Sequence, residues 1–480
     1  MTRGVMWTGV TQITVVGTRI VVIAVLARLL SPEDFGVIAA VSIFTGFILL
    51  VNDLGLSAAL IQREDLDDNH LSTTFWAGIA AGIGFWTLAI IASPLVANFF
   101  NDDLVRKVLM FASTAFLIGP LGAVQRALFT RNLDFKKLAI SEIVGMLVYG
   151  TVSITLAVAN FGVWSLVWGV LAMTATTSAI VWVFSEWHPK FKFSPHSFRQ
   201  LFRFGKFVAM TRIVGFTRAN IDYLLVGRLL GQFDLGIYSI AYGLITLPAA
   251  RLSSVVSRVS FPAFSRIQHN DERLRRGYLR ATSYTSVVTF PMLAGLSVVT
   301  PELVAVVFGD GWSQAIWPIR ALCIVGIVTS VGTLVGTVFK SKDRPDLELK
   351  SNIVYLVTLT AALLVGIQYG IVGVAVTVAL VASVEFPIIQ WIAGRLIALT
   401  LLDYFRCLYP ATISSALMAA CVLGFRELGL SFLHLNSHTL LASGIIVGGV
   451  VYVVTMLLVK PTIILELKNL VSQMLKPHDV

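Results

Sequence analysis

Arg19 lies in the middle of an unbroken apolar stretch, Val5–Leu29, and Arg212 and Arg218 lie in a second one, Phe204–Leu230. A guanidinium surrounded by apolar residues is costly and marks a pathway or a ligand site. Its fork is always charged and donates hydrogen bonds in pairs, which suits carboxylate or phosphate. Thr8, Gln12 and Arg19 fall within about 40° on one helical face, a polar stripe along an apolar helix. The pattern implies recognition of an anion within a membrane. The competing reading is an arginine that braces a neighbouring helix.

The other candidates divide the same way. Arg218 and Asp222 are four residues apart, so Arg218 is either a bridge to Asp222 or an anion ligand. Arg212 has no local partner and is the stronger cargo candidate. Arg251 follows Pro248, whose kink can turn it towards a cavity. Asp53, Asp222 and Glu385 are the acids placed to couple transport to protons or sodium. Glu385 precedes Phe386-Pro387, a helix break of the kind that forms ion sites, and its competing reading is a bridge to one of the arginines. No catalytic residue, metal site or cofactor is expected. His434 and His438 are four apart but fall in a loop or at a helix end.

Composition explains what must hold these groups. Of 480 residues, 56% are hydrophobic and 13% charged, and the mean hydropathy is +0.84. Soluble domains carry roughly a quarter charged residues. An all-α membrane protein is therefore expected. Fourteen apolar segments of spanning length run from 5–29 and 36–61, through 204–230 and 235–258, to 405–425 and 438–459. The first is too long for a cleavable signal. The net charge of +10 reflects basic loops and implies no nucleic-acid partner. Cys323, Cys407 and Cys421 read as small apolar residues.

Lys and Arg concentrate in alternate loops, around Arg126–Lys137, Lys190–Lys206, Arg266–Arg280 and Lys340–Arg344. Those loops and both termini are expected to be cytoplasmic. The acidic run Glu64–Asp68 reads as a solvated loop that caps the third helix. The stretch Lys190–Lys206, interleaved with Phe, reads as an amphipathic linker on the inner leaflet.

Arg28-Leu29-Leu30 with Asp34 and Gly36 recurs 200 residues later as Arg228-Leu229-Leu230 with Asp234 and Gly236. Asn160-Phe161-Gly162-Val163 recurs at an offset of 208 as Gln368-Tyr369-Gly370-Ile371. Both echoes mark a parallel repeat of two six-helix lobes facing a central space, with two additional C-terminal helices. The expected divisions are 1–186, a linker at 187–203, 204–396, and 397–480.

Ala27-Arg28-Leu29-Leu30-Ser31-Pro32-Glu33-Asp34-Phe35-Gly36 resembles the Wzx-type polysaccharide transporter family. Asp53–Arg63, Phe161–Val167, Gln125–Leu128 and Asp134–Leu138 fit the same pattern, and the likeness covers essentially the whole chain. Its nearest branch is the colanic-acid exporters of the multidrug/oligosaccharidyl-lipid/polysaccharide superfamily, the MOP flippases, whose fold is MATE-like. The resemblance implies a bacterial inner-membrane flippase for undecaprenyl-diphosphate-linked oligosaccharide. It also implies a cationic cavity, alternating access and a lipid-tail groove formed by the last two helices. Expected partners are that substrate, membrane lipids, and polymerase or chain-length machinery.

Two other functions compete. A MATE-like drug or metabolite antiporter for cations would want buried acids without competing arginines. A polytopic glycan polymerase or ligase would want a large outer loop, and the largest here is about Pro301–Gln314.

Overall fold

The computed structural model describes residues 2–52, 60–61, 67–192, 194, 214–431 and 434–460; side chains at 2–10, 13, 49–52, 247–255 and 258–259 are outside the description. Arg212 and Asp53 lie outside the described residues, and Arg251 is described by its backbone alone.

The described chain is helical. The first part holds α1 (Thr2–Leu29), α2 (Pro32–Asn52), α3 (Asp68–Phe100), α4 (Asp103–Ala112), α5 (Ala115–Ile118), α6 (Ala123–Arg131), α7 (Phe135–Val158), α8 (Val163–Val183) and α9 (214–229). There follow α10 (Gln232–Arg266), α11 (Asp271–Leu303), α12 (Ile316–Ser341), α13 (Pro345–Gly366), α14 (Gly370–Leu396), α15 (Leu401–Ser431) and α16 (Ser437–Val459). Helix forms most of the described residues of every segment expected from hydropathy, with a break inside 107–128. Among the described residues, nine helical stretches are long and apolar enough to cross a membrane, and the protein is a multi-pass membrane protein. Hydrocarbon offers no hydrogen bonds, so such segments must satisfy their own backbone, and helices do so.

One span shows how strictly that rule holds. Between α4 and α6 the helix breaks at Ser113-Thr114 and again in a 3-10 turn at Gly119–Gly122, where Pro120 has no N–H to give. The freed carbonyls find side chains. Arg126 Nη2 donates to Gly119 O at 2.8 Å, Trp182 Nε1 to Leu121 O at 2.7 Å, and Ser178 Oγ to Ile118 O at 3.4 Å. Glu142 of α7 offsets the Arg126 charge electrostatically. Arg126 is thus a structural cation, whereas the sequence places it among solvated loop charges.

By backbone contacts the chain divides into two compact units, Met1–Ser239 and Ile240–Val480. The repeat follows sequence symmetry instead, so α9 and the start of α10 belong to the first unit. Both echoes share backbone geometry. Leu30 N–H donates to Leu26 O and Leu230 N–H to Val226 O, each at 2.8 Å. Gly162 and Gly370 both take positive φ, 55° and 67°, which is why each turn carries glycine. A third echo emerges at an offset of 210. Asn132, Leu133 and Asp134 donate to Leu128, Thr130 and Phe129, as Lys342, Asp343 and Arg344 donate to Val338, Lys340 and Phe339. Leu133 and Asp343 take φ of 58° and 56°.

In the first unit α1 packs along α7, where Gly150 admits the Val22 side chain. The linker docks on the start of α3. Trp76 Nε1 donates to Lys190 O at 2.9 Å, its ring stacks on Phe191, and Lys190 N–H donates to Ser72 Oγ. Asp67 is the N-cap of α3, as expected for the acidic loop, and it accepts from His70 N–H at 2.8 Å. The second unit is centred on α11, α12, α14 and α15, with Tyr278, Phe339, Val338, Leu334 and Tyr404 fully buried among them.

Candidate functional site

Arg19 is exposed, and its neighbours on α1, Gly17, Ile20 and Val21, are exposed as well. The Tyr149 phenol on α7 lies within its electrostatic reach. Gln12, one of the expected polar stripe, is half-buried on the same helix. A charged fork held open in the middle of an apolar helix can take an anion without first breaking a packed core.

Arg218 is half-buried on α9. It does not pair with Asp222 as its i,i+4 spacing suggests: among the described residues no ion pair joins the two. Asp222 is 3% exposed, and its carboxylate accepts from Tyr238 Oη at 2.6 Å and from Tyr223 N–H at 3.0 Å. The reason is packing. Asp222 faces the start of α10, where Tyr238 is fully buried and its ring meets Tyr223 edge-on at 5.2 Å. The bridge reading of Arg218 with Asp222 is therefore replaced by a carboxylate–phenol pair.

Arg19 and Arg218 occupy equivalent depths. Arg19 lies ten residues before Leu29 and Arg218 eleven before Leu229, each the last residue of its helix. At 1.5 Å per residue both lie about 15–17 Å below the repeat-related turns.

Other arginines prove structural. Arg228 Nη1 donates to Asn98 O, Phe99 O and Asn101 Oδ1 at 2.6–3.0 Å, which caps the C-terminus of α3. Cationic capping there also suits the helix dipole. Arg320 donates to Ser297 O and lies over the Trp317 ring, in keeping with an interfacial role. Arg426 pairs with Glu302, which is 6% exposed, and so ties α15 to the end of α11.

In the second unit two apolar cavities stand out. One, of about 570 Å3, lies among α11, α12, α14 and α15 and is lined by Phe290, Ile327, Phe386, Phe405, Leu408 and Ala416. The other, of about 600 Å3, lies between α13 and α14, with Glu385 and Lys350 on an otherwise apolar wall. Glu385 is half-buried there. Beside the first cavity runs a buried polar chain that the sequence reading missed. Tyr278 Oη donates to Gln390 Oε1 at 2.7 Å, and Gln390 Nε2 donates to Tyr404 Oη at 3.1 Å. It fastens α15 to α11 and α14. A glutamine deep in an apolar segment was the available signal.

Comparison with known proteins shows the family and the fold. The model of a family described as "Polysaccharide biosynthesis protein" matches residues 25–317. The chain is 29% identical to the teichuronic acid biosynthesis protein TuaB of Bacillus subtilis (strain 168), over 94% of this chain and 93% of that one. It is 28% identical to the lipopolysaccharide biosynthesis protein WzxC of Escherichia coli (strain K12), over 86% of this chain and 82% of the other. Among solved structures, the lipid II flippase MurJ in an inward closed conformation superposes with a TM-score of 0.76 at 14% identity, over 97% of this chain and all of that one.

Proposed function

The chain belongs to the polysaccharide biosynthesis protein family, and from that premise we propose that it is a flippase for polyprenyl-diphosphate-linked oligosaccharide. It works in a bacterial inner membrane with both termini cytoplasmic, and the fourteen segments expected from hydropathy all cross. The observation that carries the proposal is the exposed guanidinium of Arg19 within an apolar helix, with Arg218 at matching depth. Diphosphate is the anion such forks match best. Arg212, six residues before Arg218 in the same apolar stretch, is the second cargo candidate that the sequence offers.

The apolar cavity among α11, α12, α14 and α15 supplies what an oligosaccharide-lipid needs besides an anion site, a slot for part of its hydrocarbon tail. Glycan and diphosphate are too polar for hydrocarbon, while the tail needs no aqueous path. Glu385, half-buried beside an apolar cleft, is the group proposed to couple the cycle to a proton or sodium gradient. The translocated unit then passes to polymerase and chain-length machinery.

Purified protein in liposomes loaded with a fluorescent polyprenyl-diphosphate oligosaccharide tests this directly. Wild type is expected to move label between leaflets, and Arg19→Ala to leave it in place. Equal movement in protein-free liposomes, or of wild type and Arg19→Ala alike, would falsify the assignment.

A further inference from the structure

Gly36 stands in the first turns of α2 and Gly236 in the first turns of α10, at the same place in each repeat. A methyl carbon on Gly36 would lie 1.8 Å from the Gln232 carbonyl oxygen. One on Gly236 would lie 1.8 Å from the Pro32 carbonyl oxygen and 3.0 Å from Gly36 N. Residues 32 and 232 are themselves repeat mates. The two contacts therefore exchange with each other under the repeat, as in an isologous interface about a local two-fold axis. The helix starts touch backbone to backbone, an approach that only glycine permits.

The residues beside the two glycines in sequence are apolar and buried, with Leu235 facing Gly227 of α9. Val37 is 2% exposed, and Leu235 and Ile237 are fully buried. One polar group is caught in the contact. Gln232 is half-buried, yet its Nε2 and Oε1 are both shielded and have no hydrogen-bond partner. A shielded amide without partners is rare in a resting interior and would be satisfied by water if the helix starts parted.

We propose that this glycine-matched turn pair is the gate on the membrane face opposite the basic loops. It is closed in this structure and opens when the N-terminal turns of α2 and α10 separate. The contact is held by shape and apolar burial, and the Gln232 amide biases it towards opening. This inference rests on the transport reading above, since a gate presupposes a passage.

Leu235→Cys, in a chain whose Cys323, Cys407 and Cys421 are replaced, reports the gate by its reaction with an impermeant maleimide applied from that face. Gly36→Ala or Gly236→Ala should wedge the contact and raise the labelling rate about tenfold, the scale of overpacking by one methyl. Gln232→Leu removes the unpartnered amide without touching the backbone contact and should slow labelling severalfold. An unchanged rate in the glycine variants, or faster labelling in Gln232→Leu, overturns the gate. If the glycine variants fail to reach the membrane, the Gln232→Leu arm decides alone. Labelling is read without cargo. Rates that shift as expected in a protein that moves no lipid-linked oligosaccharide would keep the gate and remove the transport reading.

Discussion

Asp222 accepts a 2.6 Å hydrogen bond from the Tyr238 hydroxyl, and this contact fixes the start of α10 against α9. A buried oxygen that loses its donor costs about 1–3 kcal/mol. Tyr238→Phe is therefore expected to lower the melting temperature in detergent, whereas Asp222→Asn, which keeps an acceptor facing the phenol, should lower it less. Because this carboxylate is sealed and already bonded, Asp222→Asn should also leave any dependence on an ion gradient intact. Glu385→Gln should abolish that dependence. Reversal of the two outcomes in a gradient-driven transport assay would move the coupling role to Asp222.

Arg19 differs from Arg228 and Arg126 in what it touches. Those two satisfy backbone carbonyls, so their loss should appear as instability. Arg19→Ala should leave folding and membrane insertion near wild type yet remove surface polysaccharide. Arg19→Lys keeps the charge but not the planar fork, and is expected to retain only part of the activity. Arg228→Ala should do the opposite, lowering thermal stability by about 1 kcal/mol while residual protein stays active. Full export by Arg19→Ala cells, with protein present at normal level, would remove Arg19 from the cargo path.

These distinctions set the limit of what the sequence shows. Hydropathy alone placed the helices, because each apolar run of that length has one way to satisfy its backbone. The repeat was legible where turns need special residues, as at Gly162 and Gly370. It was illegible at Leu133 and Asp343, whose shared left-handed turn is built from unrelated side chains. The i,i+4 spacing left Arg218 as either a bridge to Asp222 or an anion ligand, and it could not show Tyr238, because it counts neighbours on one helix while Tyr238 comes from the next. The Gly36 and Gly236 echo was visible as a repeat, but not as a contact, since proximity is a tertiary fact. Cavities are made by what packing leaves empty, and no residue pattern announces them.

Gln390 bridges Tyr278 and Tyr404 in a site where all three are buried. Gln390→Leu keeps the volume but strands two phenol oxygens, for a cost of about 2–5 kcal/mol. The expected sign is a large fall in melting temperature. Gln390→Glu, which retains an acceptor for Tyr278, should fall less at low pH, where a protonated acid can also donate, than at neutral pH. If Gln390→Leu melts like wild type, the chain does not hold α15 in place.

Asp67 is placed to make the linker dock pH-sensitive. Its carboxyl accepts from the His70 N–H and is held below the ordinary value of 3.8. A depressed folded value means the stabilisation is present in full above 3.8 and is lost as the pH falls through the folded value. Trp76, which joins α3 to Lys190, should report the loosening by its fluorescence as the solution is acidified below about pH 4. Asp67→Asn, neutral throughout but still an acceptor, should flatten that change, and Asp67→Ala should cost about 1 kcal/mol at neutral pH, a difference that shrinks as acid protonates the wild-type carboxylate. A transition of the same size in Asp67→Asn would assign the sensitivity to another group.

The apolar cavity among α11, α12, α14 and α15 makes a claim about the tail, and tail length tests it. Ala416 is a small residue on its wall, facing a volume of about 570 Å3. Ala416→Trp adds a side chain that fills much of that space, while the anion site on α1 and α9 stays untouched. Transport of a substrate with a full-length polyprenyl chain should fall about tenfold or more, the scale of a lost tail contact of a few methylenes. A substrate with the same glycan and diphosphate on a short chain has less hydrocarbon to seat and should lose much less. Arg19→Ala, by contrast, should suppress both substrates equally. If Ala416→Trp slows long and short chains to the same degree, the cavity is not a tail slot and the variant acts by disturbing the packing of α15.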